Sequence, residues 1–342
     1  MQRWISRLLA GGWAVWFFAP APLAAATVST QSVYTGMCDA SGAVALDADH
    51  FAVADDEANV IRIYRTEPAG PPAQAFDLSA FLQVDPRKPE TDLEAACWLG
   101  DKVFWIGSHG RNRAGKFRPN RDFLFATSFR KTTSGFQLVP EGQPYHHLLD
   151  DLLRDPRLQP FQLAEGSERA PKLPGAVNIE GLAGTPDGHL LIGFRNPVPA
   201  GRALLVPLLN PTDILAGAEA QLGDPLLLDL GGRGVRDIAR WHDGYLIAAG
   251  PAGSVGDFVV YAWAGGAAKP RRIKDVRLKH FHAEAIVVYP DRPRSFQLLS
   301  DDGRHGIGGQ PRPKPDPDQQ RFRSLWIGLD AAEVRKLTRA AP

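Results

Sequence analysis

Four acidic residues stand where a buried strand should be apolar. Glu94, Glu180, Asp237 and Glu284 each lie near the start of a run of small and apolar residues. A buried carboxylate is strongly unfavourable unless it is paired or binds a ligand. We therefore take Glu180 and Glu94 as candidate catalytic residues that orient water or hold a cation. Asp237 and Glu284 are candidate ligand contacts.

Basic residues accompany these acids. The loop at residues 108–121 contains five Lys or Arg residues and no acid. Its His109 is a third candidate catalytic residue, and its Arg111 is a candidate contact to an anion. Arg195 and Asn196, which end another apolar run, are further candidate anion contacts, because guanidinium groups bind phosphate and carboxylate in a forked geometry. The alternative is that the basic loop is only solvated.

Two pairs of neighbouring aspartates suggest a metal site. Asp55 and Asp56 follow one apolar run, and Asp301 and Asp302 follow another. Carboxylate oxygens are the ligands that Ca²⁺ prefers, so these four residues are candidate ligands of a Ca²⁺ cofactor. The structural alternative is that the acids accept backbone hydrogen bonds and hold neighbouring strands together.

These residues belong to an internal repeat of two strands joined by a tight turn, with turn residues typical of antiparallel connections. The five copies are DASGAVALDADHFAVADDE from Asp39, DLEAACWLGDKVFWIGSHG from Asp92, NIEGLAGTPDGHLLIGFRN from Asn178, VRDIARWHDGYLIAAGPAG from Val235 and HAEAIVVYPDRPRSFQLLS from His282. Aligned in this way, they place one position at Ser41, Glu94, Glu180, Asp237 and Glu284, with spacings of 53, 86, 57 and 47 residues.

The repeat predicts an all-β fold, a β-propeller with five blades. An amphipathic third strand follows each hairpin, and the strand after residue 26 is expected to complete the last blade and close the ring, which removes unpaired edges. The 86-residue interval leaves six blades as an alternative. Residues 140–177 read instead as helix and Pro-rich coil, so we predict an insertion within a single domain of residues 27–342. A β-sandwich is the competing fold.

Ring closure would gather the charged residues at one place. In a meander, the start of the first strand and the end of the second lie at the same end, because the tight turn is at the other end. The first strands surround the central axis. The candidate residues are therefore predicted to meet at one mouth of the channel.

The two cysteines are expected to be separate thiols. The repeat register offsets Cys38 from Cys97 by about 20 Å along neighbouring strands, at about 3.3 Å per residue. Bridged cysteines need Cα atoms within about 7 Å of each other. A disulfide remains the alternative in an exported protein.

Residues 1–26 have the pattern of a secretory signal peptide, with Arg3 and Arg7 before an apolar run and small residues at 24–26. We expect cleavage near Ala26, a periplasmic or secreted protein, and no membrane anchor after cleavage. Without Arg3 and Arg7 the chain has 37 Lys and Arg residues against 38 acids, a net charge of −1. This balance gives no indication of nucleic-acid binding, and we expect a monomer.

The mature chain resembles a bacterial family of exported proteins catalogued as a domain of unknown function. The resemblance is carried by GMCDASGAVAL, FAVADDEANVIRIYR, DLEAACWLGDKVFWIGSHGRNRAGK, NIEGLAGTPDGHLLIGFRNP, HAEAIVVYP and LLSDDG. The EGLA signature with its FRNP end is also similar to the phytase-like, or esterase-like, propeller group. That similarity implies a propeller and phosphate-ester hydrolysis. Glu180, Glu284 and Arg195 carry over as channel residues without an assigned role.

Three functions are consistent with these residues. The leading hypothesis is a propeller that binds an anionic small molecule at the channel mouth and hydrolyses a phosphate ester. A non-catalytic ligand-binding or scaffolding propeller is the second, and fold alone does not choose between them. A glycoside hydrolase, which needs two carboxyl groups about 5–9.5 Å apart, is the third.

Overall fold

The fold is a ring of five antiparallel sheets. A computed structural model of the chain describes residues 26–85, 90–303 and 315–338. The predicted signal peptide, residues 1–26, lies outside the described residues except for Ala26. Within the described ranges, no helix combines the length and apolar character needed to cross a membrane.

Each blade is a meander of strands in chain order, and its first strand faces the central channel. Two short strands, β1 (Ala26–Val28) and β2 (Ser32–Thr35), come first. Blade 1 contains β3 (Ala40–Ala45), β4 (His50–Asp55), β5 (Ala58–Arg65) and β6 (Gln74–Asp77). Blade 2 contains β7 (Leu93–Leu99), β8 (Lys102–Gly107), β9 (Leu124–Thr132) and β10 (Gly135–Tyr145). Blade 3 contains β11 (Asn178–Gly184), β12 (Leu190–Asn196), β13 (Ala203–Leu208) and β14 (Leu226–Leu228). Blade 4 contains β15 (Gly234–Trp241), β16 (Gly244–Gly250), β17 (Val259–Trp263) and β18 (Arg271–Arg272). Blade 5 contains β19 (Ala283–Val288), β20 (Ser295–Ser300) and β21 (Arg321–Leu329).

Short helices lie between strands or follow the last strand. They are α1 (Ser79–Leu82), α2 (Leu148–Arg154), α3 (Leu163–Ser167), α4 (Pro211–Ile214) and α5 (Ala331–Thr338). Helices α2 and α3 occupy the long interval between blades 2 and 3. They pack on the interface of those blades through Leu148, Leu152 and Leu163, which are buried. The described part of this interval therefore contains helices and not a sixth blade.

The N-terminal strands close the ring. Both β1 and β2 pair with β21, so blade 5 is completed by the start of the chain. The inner strands contact one another in the order β3, β7, β11, β15, β19 and back to β3. The predicted propeller with five blades and N-terminal closure is confirmed.

The apolar core lies between blades. Five clusters of buried residues each join two neighbouring blades. At the closure, Tyr34 of β2 stacks on Phe322 with ring centroids 5.0 Å apart and meets Phe51 of blade 1 edge-on at 5.3 Å. Such aromatic pairs add to the burial of their area. Cys38 and Cys97 are both buried and unbridged.

Inner strands approach each other so closely that small residues are required. A Cβ on Gly42 of β3 would lie 2.4 Å from the carbonyl carbon of Ala95 in β7. Backbone atoms on both sides cannot move apart without disturbing the ring. Gly42 therefore sets the spacing between blades 1 and 2.

We predict that Gly42→Ala lowers the free energy of unfolding by about 1–3 kcal/mol, the usual penalty for overpacking. Gly70→Ala is the matched control, because a Cβ there meets no atom within 4 Å. Urea denaturation of both variants measures the difference. Equal stability of the two variants would contradict the close approach of the inner strands.

Candidate functional site

A β-bulge in each of four inner strands turns one side chain into the channel. In β7, Leu93 pairs with Gly107 and Ala95 pairs with Ile106, so Glu94 is skipped. The residues skipped in this way are Glu94, Glu180, Arg236 and Glu284. In β3 the register shifts across the stretch that contains Ser41. A bulged residue leaves the strand's alternation, and these five side chains all line one cavity at the channel mouth.

The prediction that Asp237 faces the channel is wrong, because Arg236 occupies the bulge in β15. The Asp237 carboxylate points to the next blade. It accepts hydrogen bonds from the backbone N–H groups of Ile238 at 2.8 Å and Ile286 at 2.6 Å. Asp237 therefore joins blade 4 to blade 5, as the structural alternative for these acids anticipated.

The sequence does contain a signal for Arg236. Counting back from the aspartate of each turn gives the bulged residue at the same distance in four blades. Glu94, Glu180, Arg236 and Glu284 each precede a turn aspartate, Asp101, Asp187, Asp243 or Asp291, by seven residues. Alignment on the turns, where the hairpin register is fixed, identifies the channel residue better than alignment on the strand starts.

An arginine–glutamate network fills one side of the cavity. Glu180 Oε1 accepts hydrogen bonds from Arg195 Nη1 at 2.7 Å and Asn178 Nδ2 at 2.6 Å. Arg236 Nε lies 2.8 Å from Oε2 of both Glu180 and Glu284, and its Nη2 also donates to Glu284. Breaking a buried ion pair by removing one partner is strongly destabilising. The network therefore ties blades 3, 4 and 5 together.

The other side of the cavity holds more acids than cations, although Arg121 Nη1 pairs with Asp92 Oδ2 at 2.7 Å. The carboxylate oxygens of Asp56, Asp92 and Glu94 lie within 4.8 Å of one another, and those of Asp39, Asp55 and Asp56 form a second such triad. Asp56 belongs to both triads. Its Oδ1 is buried and accepts no hydrogen bond from any described residue.

Burial and mutual repulsion raise the pKa values of these acids. Burial raises the pKa of Asp56 well above its usual range, and Asp39 and Asp301 add to the shift. Burial likewise raises the pKa of Glu94 well above normal, with repulsion from Glu180 and Asp92. Burial and the neighbouring Asp39 raise the pKa of Asp301 to about 8. The site thus has more negative charge than it can stabilise alone.

The cavity encloses about 470 Å³. Nine acids and five Lys or Arg residues line it among the described residues, so its formal charge is negative. Residues 170–173, which precede blade 3, and residues of the 251–258 loop of blade 4 form part of its wall. Arg195 holds that loop in place by donating to the carbonyl oxygens of Ala252 at 3.2 Å and Gly253 at 2.8 Å.

The four predicted metal ligands divide into two kinds. Asp56 and Asp301 line the cavity, and Asp55 and Asp302 do not. Asp55 pairs with Arg62 at 2.8 Å, and Asp302 accepts from Arg323 Nε at 2.8 Å. Asp55 and Asp302 are thus each paired with an arginine of their own blade, although an Asp55 oxygen still lies within 4.8 Å of oxygens of Asp39 and Asp56.

Three other predicted site residues lie outside the cavity lining. His109 is buried beside Gly107 O, 2.8 Å from its Nδ1, and burial lowers its pKa to about 4. Arg111 donates to Ser167 O at 2.8 Å and pairs with Glu168. Asn196 Nδ2 donates to Pro171 O at 3.0 Å and Leu173 O at 2.7 Å. Arg111 and Asn196 anchor the segment before blade 3, and neither is placed to contact a ligand in the cavity.

Several lining residues escaped the sequence analysis. Arg113 and Arg121 of the basic loop line the cavity in place of His109 and Arg111. The residue two positions before the channel-facing residue of an inner strand also lines the cavity, since residues i and i+2 of a strand share a face. These residues are Asp39, Asp92, Asn178 and His282. The same spacing in four copies of the repeat was the available signal.

The raised pKa of Asp301 predicts that the free energy of unfolding depends on pH. An acid whose pKa is higher in the folded state than in the unfolded state contributes most to stability when pH is below its unfolded pKa, which is about 3.9 for Asp. This contribution is lost as pH rises through the pKa of the folded state, which is about 8 for Asp301. Asp301→Asn replaces this ionisable carboxyl group with a neutral amide. Its unfolding free energy relative to the native chain should therefore rise by at least about 1 kcal/mol from pH 5 to pH 9.

Denaturant titrations in EDTA at both pH values measure this difference. Asp187→Asn, in a turn at the opposite end of its blade, is the control and should show a constant difference. A difference for Asp301→Asn that stays constant or falls with pH would show that the acids are not crowded.

The comparisons with known proteins concern the family and the fold. The family described as "Protein of unknown function (DUF3616)" matches residues 125–303, more than half of the 342-residue chain. No curated protein sequence matches the chain. Similar solved structures include the PQQ-bound aldose sugar dehydrogenase of Streptomyces coelicolor, with 14% identity over 90% of this chain and 100% of that chain and a TM-score of 0.45. Glutaminyl cyclase of Myxococcus xanthus has 10% identity over 89% of this chain and 97% of that chain, with a TM-score of 0.48. A thermostable family-43 glycoside hydrolase has 11% identity over 86% of this chain and 90% of that chain, with a TM-score of 0.43. Similarity this low carries no information about chemistry. The chain belongs to the DUF3616 family of proteins of unknown function and is a five-bladed β-propeller.

Proposed function

We propose that the protein binds a divalent cation, Ca²⁺ by ligand type, together with an anionic small molecule at the channel mouth, and hydrolyses a phosphate ester there. The observation that carries the proposal is the crowded acid triad of Asp56, Asp92 and Glu94, whose oxygens lie within 4.8 Å of one another. The resemblance to phytase-like propellers points to the same class of reaction.

The residues present fit a calcium ion. Both triads offer only carboxylate oxygens, which suit Ca²⁺ and not the nitrogen and sulfur ligands typical of zinc sites. Asp56 Oδ1 is buried without a hydrogen-bond donor among the described residues, so an acceptor is left for a cation. Asp56, Asp92 and Glu94 would hold it, and Asp39 and Asp301 lie close enough to add negative charge.

A cation also explains how an acidic cavity could take an anion. The lining has four more acids than Lys and Arg residues, which opposes a phosphate on its own. When bound, a divalent cation would supply charge neutralisation and polarise a phosphoryl oxygen. Glu180 Oε2 is ion-paired with Arg236 Nε at 2.8 Å but accepts no hydrogen bond from the described residues, so this oxygen can accept one from an attacking water. His109 and Arg111, outside the lining, have no part in this scheme.

The site of action is part of the proposal. The signal-like segment at residues 1–26 supports export to the periplasm or the medium. The near-neutral net charge supports a protein that does not bind nucleic acid, and the proposal takes the protein to be a monomer that acts on a small molecule.

Calcium binding and turnover test the proposal. In EDTA-treated protein, Ca²⁺ at a hundredfold excess over its dissociation constant should raise the free energy of unfolding by about 2.7 kcal/mol. Asp56→Asn should abolish the increase, whereas Asp187→Asn should retain it. Nitrophenyl phosphate hydrolysis should require Ca²⁺ and fall at least about tenfold in Glu180→Gln.

Glu180→Gln must be assayed below its melting temperature, because it also weakens the arginine–glutamate network. Circular dichroism confirms that it is folded during the assay. Turnover without Ca²⁺, or turnover unchanged by Glu180→Gln, would remove the hydrolase proposal.

A non-catalytic propeller is the second candidate, because Glu180 and Glu284 are both engaged by arginines that join blades 3, 4 and 5. In that case Glu180→Gln lowers the free energy of unfolding by about 3–5 kcal/mol, and the native chain hydrolyses nothing. The glycoside hydrolase alternative gains no support, since Phe258 is the one phenyl ring among the described lining residues.

A further inference from the structure

Arg236 differs from the other arginine of the network in having an unused donor. Arg195 places Nη1 on Glu180, Nη2 on Gly253 O and Nε on Ala252 O. Arg236 uses Nε and Nη2 on Glu284, but its Nη1 is buried and has no hydrogen-bond partner among the described residues. Buried polar groups are nearly always hydrogen-bonded, so this donor calls for an acceptor.

The surroundings of Arg236 leave the acceptor to come from the cavity. The side chain is only 6% exposed, and its guanidinium carbon lies 5.4 Å from the centroid of the Phe258 ring. Glu180 and Glu284 occupy the Nε side. Arg236 and Phe258 both line the cavity. The acceptor for Nη1 therefore comes from the cavity, and an anionic ligand there would replace water at this donor.

Lys172 supplies a second donor nearby. It lines the same cavity, and its side chain makes no hydrogen bond or ion pair with any described residue. Burial lowers the pKa of Lys172, and the positive charges of Arg195 and Arg236 lower it further. Glu180 and Asp301 oppose that shift. Because Lys172 and Arg236 line the same cavity, an anion bound there can contact both.

We infer that Arg236 Nη1 and Lys172 Nζ form a second anion position, which takes a carboxylate, so that the ligand carries a carboxylate as well as a phosphate. This inference rests on the proposed function for the phosphate, which is held at the acid triad with its cation. The net charge of this part of the cavity suits a monoanion. The three cations Arg195, Arg236 and Lys172 exceed the two carboxylates Glu180 and Glu284 by one positive charge. The volume of about 470 Å³ falls in the range of about 300–1,000 Å³ that holds small molecules.

Calorimetric titration of the Ca²⁺-loaded full chain tests the inference with four probes. They are inorganic phosphate, 3-phosphoglycerate, 6-phosphogluconate and gluconate. At least one of the two phosphorylated acids should bind about tenfold more tightly than phosphate, the gain expected from a charge-assisted hydrogen bond. Lys172→Met and Arg236→Lys should lose that gain.

Lys116→Met is the matched control, since Lys116 belongs to the basic loop but lies outside the cavity lining, and it should keep the tenfold gain. Lys172→Met removes a side chain without a structural partner, so its result stands even if Arg236→Lys unfolds. The inference is overturned if neither phosphorylated acid exceeds phosphate, or if the gain survives in Lys172→Met.

Failure of the proposed function gives a different result. If phosphate shows no Ca²⁺-dependent binding to the native chain, the cation site is wrong, and gluconate then reports on the second position alone. Gluconate that binds the native chain and not Lys172→Met would support the carboxylate position. Gluconate that binds neither, or both equally, would overturn it.

Discussion

The close approach of five inner strands around one axis is the constraint on which the site depends. Closure of β21 by β1 and β2 holds the blades in a ring, and residues such as Gly42 allow neighbouring backbones to touch. A regular strand in this position would turn alternate side chains toward the adjacent blades. The bulges at Glu94, Glu180 and Arg236 instead turn one charged group per strand toward the axis.

The gathered charges are distributed unevenly, and that asymmetry is the basis of the proposed chemistry. On the side of blades 3, 4 and 5, Arg195 and Arg236 compensate Glu180 and Glu284. On the side of blades 1 and 2, Asp56, Asp92 and Glu94 face one another, and burial raises the pKa values of all three. The first side contributes to the stability of the ring. The second side holds negative charge that a cation would stabilise.

The fold was accessible from the sequence because the repeat is strong and local. Turn aspartates and apolar strand pairs recur in each copy, and ring closure follows from the spare N-terminal strand. The channel residues were accessible only in part. Glu94, Glu180 and Glu284 were placed correctly at the mouth, whereas Arg236 was missed because a bulge shifts the register by one residue between the strand start and the channel position.

Other errors have equally local causes. Asp55 and Asp302 were grouped with Asp56 and Asp301 because the sequence does not show that Asp55 pairs with Arg62 and Asp302 with Arg323. His109 and Arg111 lie in a loop whose path depends on tertiary contacts. Asn196 ends β12, but its side chain turns to Pro171 and Leu173 of the segment before blade 3, which the repeat does not indicate. Lys172 comes from the segment before blade 3, outside the repeat, so no periodicity could indicate it.

The most direct measurement of the central claim is a crystal structure of the chain grown with Ca²⁺, with anomalous scattering used to locate the ion. Our account predicts one strong peak within about 2.3–2.6 Å of carboxylate oxygens at Asp56, with Asp92 and Glu94 around it. Water alone at that position, with the acids hydrogen-bonded to one another as protonated pairs, would contradict the account.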